Sequence, residues 1–294
     1  MRYLFSVIFL LSIILFNGHF AEAKDEGIGI WVDMLPWDEV NGILPKYSKF
    51  TIMDVETGKK FNVQRRAGSG HADVQPLTSK DTKIMKGIYN GKWSWKRRAI
   101  IVIHQDQWIA ASMHGMPHGA GKLDNNFRGH FCVHFNGSTT HRKKAVDLSH
   151  QLMIMKSAGI LNEYLNSAEP YELIQAFTAG IKQKDRRIVS AISLQKINWK
   201  MQFNKVENIK PRQISVRPFR KDELYLNIPV DIEWIDEDSK RHIFNGTIHL
   251  IRFSPEEGWK IDAKRFVKDV FIQNGGRERA KGVTEKDFQI DLNY

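Results

Sequence analysis

Cys132 is the single cysteine of this 294-residue chain, and it lies in the most histidine-rich stretch of the sequence. The run Gly129-His130-Phe131-Cys132-Val133-His134-Phe135 holds it, with His114 and His118 upstream and His141 downstream. Eight of the eleven histidines fall between His71 and His150, so the thiol and the imidazoles are concentrated together. A thiol attacks only as thiolate, and an adjacent imidazole is the usual group that generates one near neutral pH. A nucleophile is therefore one reading of Cys132. The other is a small apolar residue in a buried strand.

The start of the chain bears on that choice. Arg2 precedes an almost unbroken apolar run over residues 3–16, and Ala21-Glu22-Ala23 follows as a small-x-small cleavage site. This pattern predicts a secretory signal over residues 1–23 and a secreted or extracytoplasmic, envelope-associated product. The run is short for a spanning helix, and no later segment is apolar enough to cross a bilayer. Exported proteins in oxidising compartments carry paired cysteines or none, so one retained thiol argues for a chemical task.

The formal net charge is +11. Export argues against nucleic acid as the partner of so basic a chain, and an anionic envelope polymer fits both charge and address. Trp93 and Trp95, framed by Lys92, Lys96, Arg97 and Arg98, are candidates to stack on sugars or face an anionic glycan. An alternating pair of this kind more often splits into one core and one surface residue.

These residues need elements to hold them. Residues 24–47 read as irregular, broken by Gly27, Gly29, Pro36 and Pro45. Residues 50–55 and 61–64, joined through Thr57-Gly58, predict a β-hairpin. Residues 68–73 read as a glycine-rich loop carrying His71 and Asp73, and Ser79 as the cap of a short helix. Residues 99–103 and 108–113 predict two strands about a tight turn, the second ending at His114-Gly115. Residues 117–128 form a loop, and a further strand begins at Phe131. A helix over residues 146–158 closes this half.

Ser167-Ala168-Glu169-Pro170 reads as a boundary, after which the histidine cluster stops. A helix over residues 171–182 places Leu173, Ile174, Phe177 and Ile181 at helical spacing. Leu224, Leu226, Ile228, Val230, Ile232 and Trp234 then alternate strictly, and residues 243–253 and 259–261 continue the strand pattern. The expectation is an α+β second domain, a helix packed on a curved antiparallel sheet.

The stretch His114-Gly115 followed by Gly129-His130-Phe131-Cys132-Val133-His134 resembles the active-site signature of the L,D-transpeptidases. Those enzymes act on peptidoglycan stem peptides through a cysteine nucleophile. Their pattern is a histidine, often followed by glycine at a strand end, then a loop, then Ser/Thr-His-Gly-Cys, an apolar residue and Arg or Asn. His114 precedes Cys132 by 18 residues, within the family's separation, and His130 matches the motif histidine. Gly129 stands in place of Ser or Thr, Phe131 in place of Gly, and His134 in place of Arg or Asn.

The resemblance covers residues 48–142 and implies a mainly β, β-sandwich catalytic domain within residues 48–166. It implies Cys132 as nucleophile and His114 as base, with His118 the competing base. His130, the motif histidine, is counted with the catalytic residues, backbone N–H groups around Phe131 and Cys132 would hold the oxyanion, and His134, His71 and Asp73 are candidate supporting residues. Residues 167–294 are similar in texture to the cone-like nuclear transport factor 2 fold.

No cofactor and no metal are expected from this reading. A zinc-dependent hydrolase is one alternative: His114-x-x-x-His118 and His130-x-x-x-His134, with His141 and Cys132, offer ligands, but such pairs need a helix, Gly115, Pro117 and Gly119 deny one to the first, and no Glu base accompanies either. The other alternative is a non-catalytic envelope-binding protein on the same scaffold.

Overall fold

The computed structural model describes residues 31–141, 144–196, 198 and 203–273. The predicted signal, residues 1–23, lies outside them. A short helix, α1 (Trp37–Ile43), forms where irregular chain is expected. Pro36 is its N-cap in extended backbone, and Trp37 and Val40 are buried, with Trp37 stacked on Phe135 at 6.0 Å between ring centroids.

Two-residue alternation builds the first two strands of this half, and continuous apolar or buried runs build the other four. β1 (Lys49–Asp54) and β2 (Lys60–Ala67) bury Phe50, Ile52, Phe61 and Val63 on one face. β3 (Ala72–Pro76) follows, and α2 (Ser79–Ile88) starts one residue after its cap, Thr78, which forms a reciprocal capping box with Asp81. β4 (Arg97–His104), β5 (Gln107–His114) and β6 (Phe131–His134) complete the set.

The six strands run in the order β1-β2-β3-β6-β5-β4, every pairing is antiparallel, and β4 returns to pair with β1. The result is a closed barrel where a two-sheet sandwich is expected. Closure follows from β4, which pairs along its length with β5 and also with β1, so neither outer strand is left as an edge.

The second half opens with α3 (Leu148–Ser157), α4 (Leu161–Ser167), α5 (Pro170–Gln183) and α6 (Arg186–Ile192). A four-stranded antiparallel sheet follows in the order β10-β9-β8-β7. Its strands are β7 (Val206–Ile214), β8 (Tyr225–Asp236), β9 (Arg241–Ile251) and β10 (Lys260–Ile261). α7 (Ala263–Val267) then runs into a π-helical turn, Lys268–Gln273. The alternating residues of β8 and the apolar stripe of α5 meet in one core.

From Val32 the described residues form a single compact unit with two apolar cores, one inside the barrel and one beneath the sheet. α3 belongs to the second core, where Leu152 and Met153 are joined by Ala99 of the barrel strand β4. Lys156 of α3 is buried between Asp185 (2.5 Å) and Glu56 (2.7 Å), which ties the β1–β2 turn to the helices. Among the described residues no helix is long and apolar enough to cross a membrane.

Candidate active site

Alternation along β6 decides what faces what. Phe131 and Val133 enter the barrel core beside Val74 and Met113, which sends Cys132 and His134 to the opposite face. In the ladder Asp73 of β3 stands directly opposite Cys132, and Ser112 of β5 opposite His134. Facing residues share one side of a sheet, so this register alone brings a carboxylate beside the thiol. Asp73 Oδ1 is 3.8 Å from Cys132 Sγ.

A loop brings an imidazole to the thiol. Residues 115–130 fold back so that His118 and His130 pair through reciprocal backbone hydrogen bonds of 2.9 and 2.8 Å. The return requires Gly129, whose φ is +93° and whose missing Cβ would sit 2.3 Å from the His118 carbonyl oxygen. Phe131 keeps ordinary strand geometry, so the glycine-dependent backbone falls two residues before the position where the transpeptidase signature has glycine.

His118 Nε2 thereby reaches 3.3 Å from Cys132 Sγ, and its Nδ1 donates to the Met116 carbonyl at 3.1 Å. His114 lies behind it, ring centroids 5.2 Å apart, and its Nδ1 receives only a long 3.4 Å bond from the Met116 N–H.

The remaining imidazoles close around Asp73. His71 Nε2 and His141 Nε2 each lie 3.1 Å from Asp73 Oδ1, and His130 Nε2 lies 3.6 Å away. His71 Nε2 and His141 Nε2 are 3.0 Å apart. His71 Nδ1 donates to the Thr139 carbonyl at 2.7 Å, and His130 Nδ1 to the Ala120 carbonyl at 3.1 Å. His134 is sandwiched between His71 and His150, at 4.5 and 3.7 Å between centroids, and His150 Nδ1 meets Ser112 Oγ at 2.9 Å.

Electrostatics hold most of this centre neutral. Burial pushes the Cys132 thiol well up, and the Asp73 carboxylate adds to that. Burial lowers His118, assisted by His130 and His141, and drives His114, His134 and His150 far below the ordinary histidine range. Burial alone would raise the Asp73 carboxyl, but its hydrogen bond with His71 and the neighbouring histidines outweigh that and hold it low.

The site opens to solvent on one side. Cys132 is 3% exposed, whereas the His141 side chain is 47% exposed and Trp95 is 51% exposed. Trp95 packs on His114 and His118 at 4.7 and 5.4 Å. Trp93 is instead the inward member of the pair, edge-on to Phe127 at 5.2 Å. Two of the four flanking cations are internal fixtures: Arg97 pairs with Asp147 at 3.0 Å and Arg98 with Asp54 at 2.6 Å.

All the sequence-selected residues, Cys132, His114, His118, His130, His134, His71 and Asp73, thus gather at one place, on three strands and their adjoining loops. His141 and His150 are part of the same cluster, although the sequence reading gave neither a catalytic role. The stretch from His114 to His118 is not helical, as Gly115, Pro117 and Gly119 require. The close approach of the imidazoles does not depend on a helix, because strands and loops far apart in sequence supply them. No family model, curated protein or solved structure matches the chain.

Proposed function

We propose that the protein is an exported, cysteine-dependent acyltransferase of the L,D-transpeptidase type, acting on peptidoglycan stem peptides. The observation that carries this reading is the Cys132–His118 contact of 3.3 Å, with His118 Nδ1 anchored on a backbone carbonyl. A carbonyl can only accept, so Nδ1 carries the ring proton and Nε2 presents a lone pair to the thiol. That is the tautomer a general base needs.

In the reaction, His118 Nε2 takes the S–H proton as Sγ bonds to the stem-peptide carbonyl carbon. The oxyanion is held by backbone N–H groups around Phe131 and Cys132, each such donor typically lowering the barrier by about 2.7–4 kcal/mol. The C–N bond to the terminal D-amino acid breaks, and His118 returns the proton to the leaving amine. An amine of a neighbouring stem, or water, then resolves the thioester. His118, rather than His114, is the base in this account. Trp95 stands at the mouth, placed to contact the glycan or peptide. Exposed Lys122 and Arg128 on the covering loop suit an anionic wall polymer. The sheet half is assigned as a cone-like binding or spacing module.

Tetrapeptide muropeptides incubated with the protein, with products weighed by mass spectrometry, test the reading. Loss of D-alanine or cross-linked dimers, absent with Cys132→Ala, is the expected result. No product from a folded, metal-free protein would leave a binding module on this scaffold.

A further inference from the structure

The hydrogen-bond inventory around Asp73 contains more acceptors than donors. His71, His118 and His130 each commit the Nδ1 hydrogen to a backbone carbonyl, Thr139, Met116 and Ala120 respectively. In a neutral ring each Nε2 is then a bare lone pair. Two of these face Asp73, whose carboxylate is itself an acceptor, at 3.1 and 3.6 Å, so the His71–Asp73 contact becomes attractive only with a proton or another positive centre between the two atoms. The His130 Nε2 atom is buried and has no hydrogen-bond partner. Acceptors set this close repel unless something positive lies between them. Imidazoles whose far nitrogen is fixed by a carbonyl, with the near nitrogen bare, have the usual outer-shell arrangement of metal-binding histidines.

The distances agree with that requirement. Bond lengths of roughly 2.0–2.3 Å to N, O and S around a tetrahedral zinc ion give ligand–ligand edges of about 3.3–3.6 Å. Four of the six edges here are 3.0 Å for His71–His141, 3.1 Å for His71–Asp73, 3.1 Å for His141–Asp73 and 3.8 Å for Cys132–Asp73, three slightly shorter and one slightly longer than that range. All four ligand atoms lie within 4.8 Å of one another. Two imidazoles, a carboxylate and a thiolate balance a divalent charge, and the mixed N/O/S set suits zinc more than calcium or magnesium.

We infer that His71, Asp73, Cys132 and His141 form a binding site for a zinc-class divalent cation. Three of the ligands are buried, and His141 is the exposed one, on the side from which an ion would enter. Gly70 permits the closure, because a Cβ there would meet Thr139 Oγ1 at 2.4 Å and push away the segment that carries His141. Binding takes Cys132 as thiolate, releases its proton and withdraws its sulfur from attack. The metal-bound protein is then a resting form, a consequence that rests on the acyl-transfer reading, whereas the site itself does not.

Chelator-stripped protein is titrated with Zn²⁺ by calorimetry and with Co²⁺ by absorbance. The expected result is one equivalent of Zn²⁺, bound at least tenfold more weakly by His71→Gln, Asp73→Asn and His141→Gln. Co²⁺ should give a thiolate-to-cobalt charge-transfer band that Cys132→Ser lacks. His141→Gln is the decisive variant, since a half-exposed ring leaves no core cavity and the fold survives its loss. No uptake by the folded protein overturns the site and leaves a proton on His71 as the occupant. Undiminished binding in both His141→Gln and Cys132→Ser overturns it as well.

Acylation by a carbapenem, with and without one equivalent of Zn²⁺, separates the two proposals. Suppression by zinc of at least tenfold supports the resting form. Zinc binding without acylation in either state keeps the site and removes the acyl-transfer reading. Acylation indifferent to bound zinc overturns Cys132 as a ligand.

Discussion

His118 Nε2 lies 3.3 Å from Cys132 Sγ, although the two residues are 14 positions apart and sit on a loop and a strand. The backbone pairing of His118 with His130, two residues before the thiol, produces that contact. His114, at the sequence separation the transpeptidase resemblance favours, lies one ring further back.

The first prediction follows from that order. His118→Gln should slow acylation of Cys132 by about 10²–10⁴-fold, the usual contribution of a positioned general base. His114→Gln should slow it less, because its ring supports His118 without touching the sulfur in a hydrogen bond. Stopped-flow acylation rates of the two variants, with circular dichroism to confirm folding, check the ranking.

Gly129→Ala forces a side chain into a positive-φ position against the His118 carbonyl. Strain of this kind costs about 1–3 kcal/mol, and the lowest-energy relief is to move the loop that carries His118. The variant should lose acylation out of proportion to its loss in melting temperature. An unchanged rate would show that the His118–His130 pairing does not place the base.

Asp73→Asn removes a carboxylate that helps push the Cys132 thiol up. The thiol should fall back toward the ordinary cysteine range but not reach it, because burial, the larger cause, persists. Alkylation by iodoacetamide at pH 8 should therefore be faster in the variant than in the wild type. The same substitution should weaken zinc binding, so thiol reactivity and metal affinity move in opposite directions.

Lys156 tests the joint between the two cores. Its ammonium is buried against Asp185 and Glu56, and although burial opposes its charge these partners hold its pKa above the usual lysine value. A group raised in the folded state contributes fully below its unfolded pKa and loses that contribution as pH climbs through the folded value. The protein should thus keep this stabilisation through neutral pH and lose it only above the ordinary lysine range. Lys156→Met leaves Asp185 buried without its cation and should cost about 3–5 kcal/mol in urea unfolding at pH 7.

Local pattern made much of the fold legible. The hairpin of β1 and β2, the strands β4 and β5, the strict alternation of β8 and the stripe of α5 are all written in short-range periodicity. Barrel closure is not, because it depends on the pairing of β1 with β4 across nearly 50 residues of chain. β3 was hidden for a different reason: it follows the glycine-rich Gly68-Ser69-Gly70 and is buried at every position, so no alternation marks it. β7 carries Lys210, Pro211, Arg212 and Gln213 with two register shifts, a composition that reads as loop.

The site was legible in its membership more than in its geometry. Cys132 and the crowding of histidines about it are evident from composition. The opposition of Asp73 and Cys132 needs the β3–β6 register, and the choice of His118 over His114 as thiol partner needs the backbone bridge to His130. Neither is a short-range property. The objection from absent helices concerns the His-x-x-x-His pairs, whereas His71, Asp73, Cys132 and His141 come from two strands and two loops, a convergence that sequence spacing does not show.

The most direct test of the acyl-transfer account is intact-protein mass after exposure of chelator-treated protein to a carbapenem, for the wild type and Cys132→Ala. The account predicts a single covalent adduct on the wild type, mapped to Cys132 by peptide digestion and missing from Cys132→Ala. An unmodified wild type, or an equal adduct on both proteins, would contradict it.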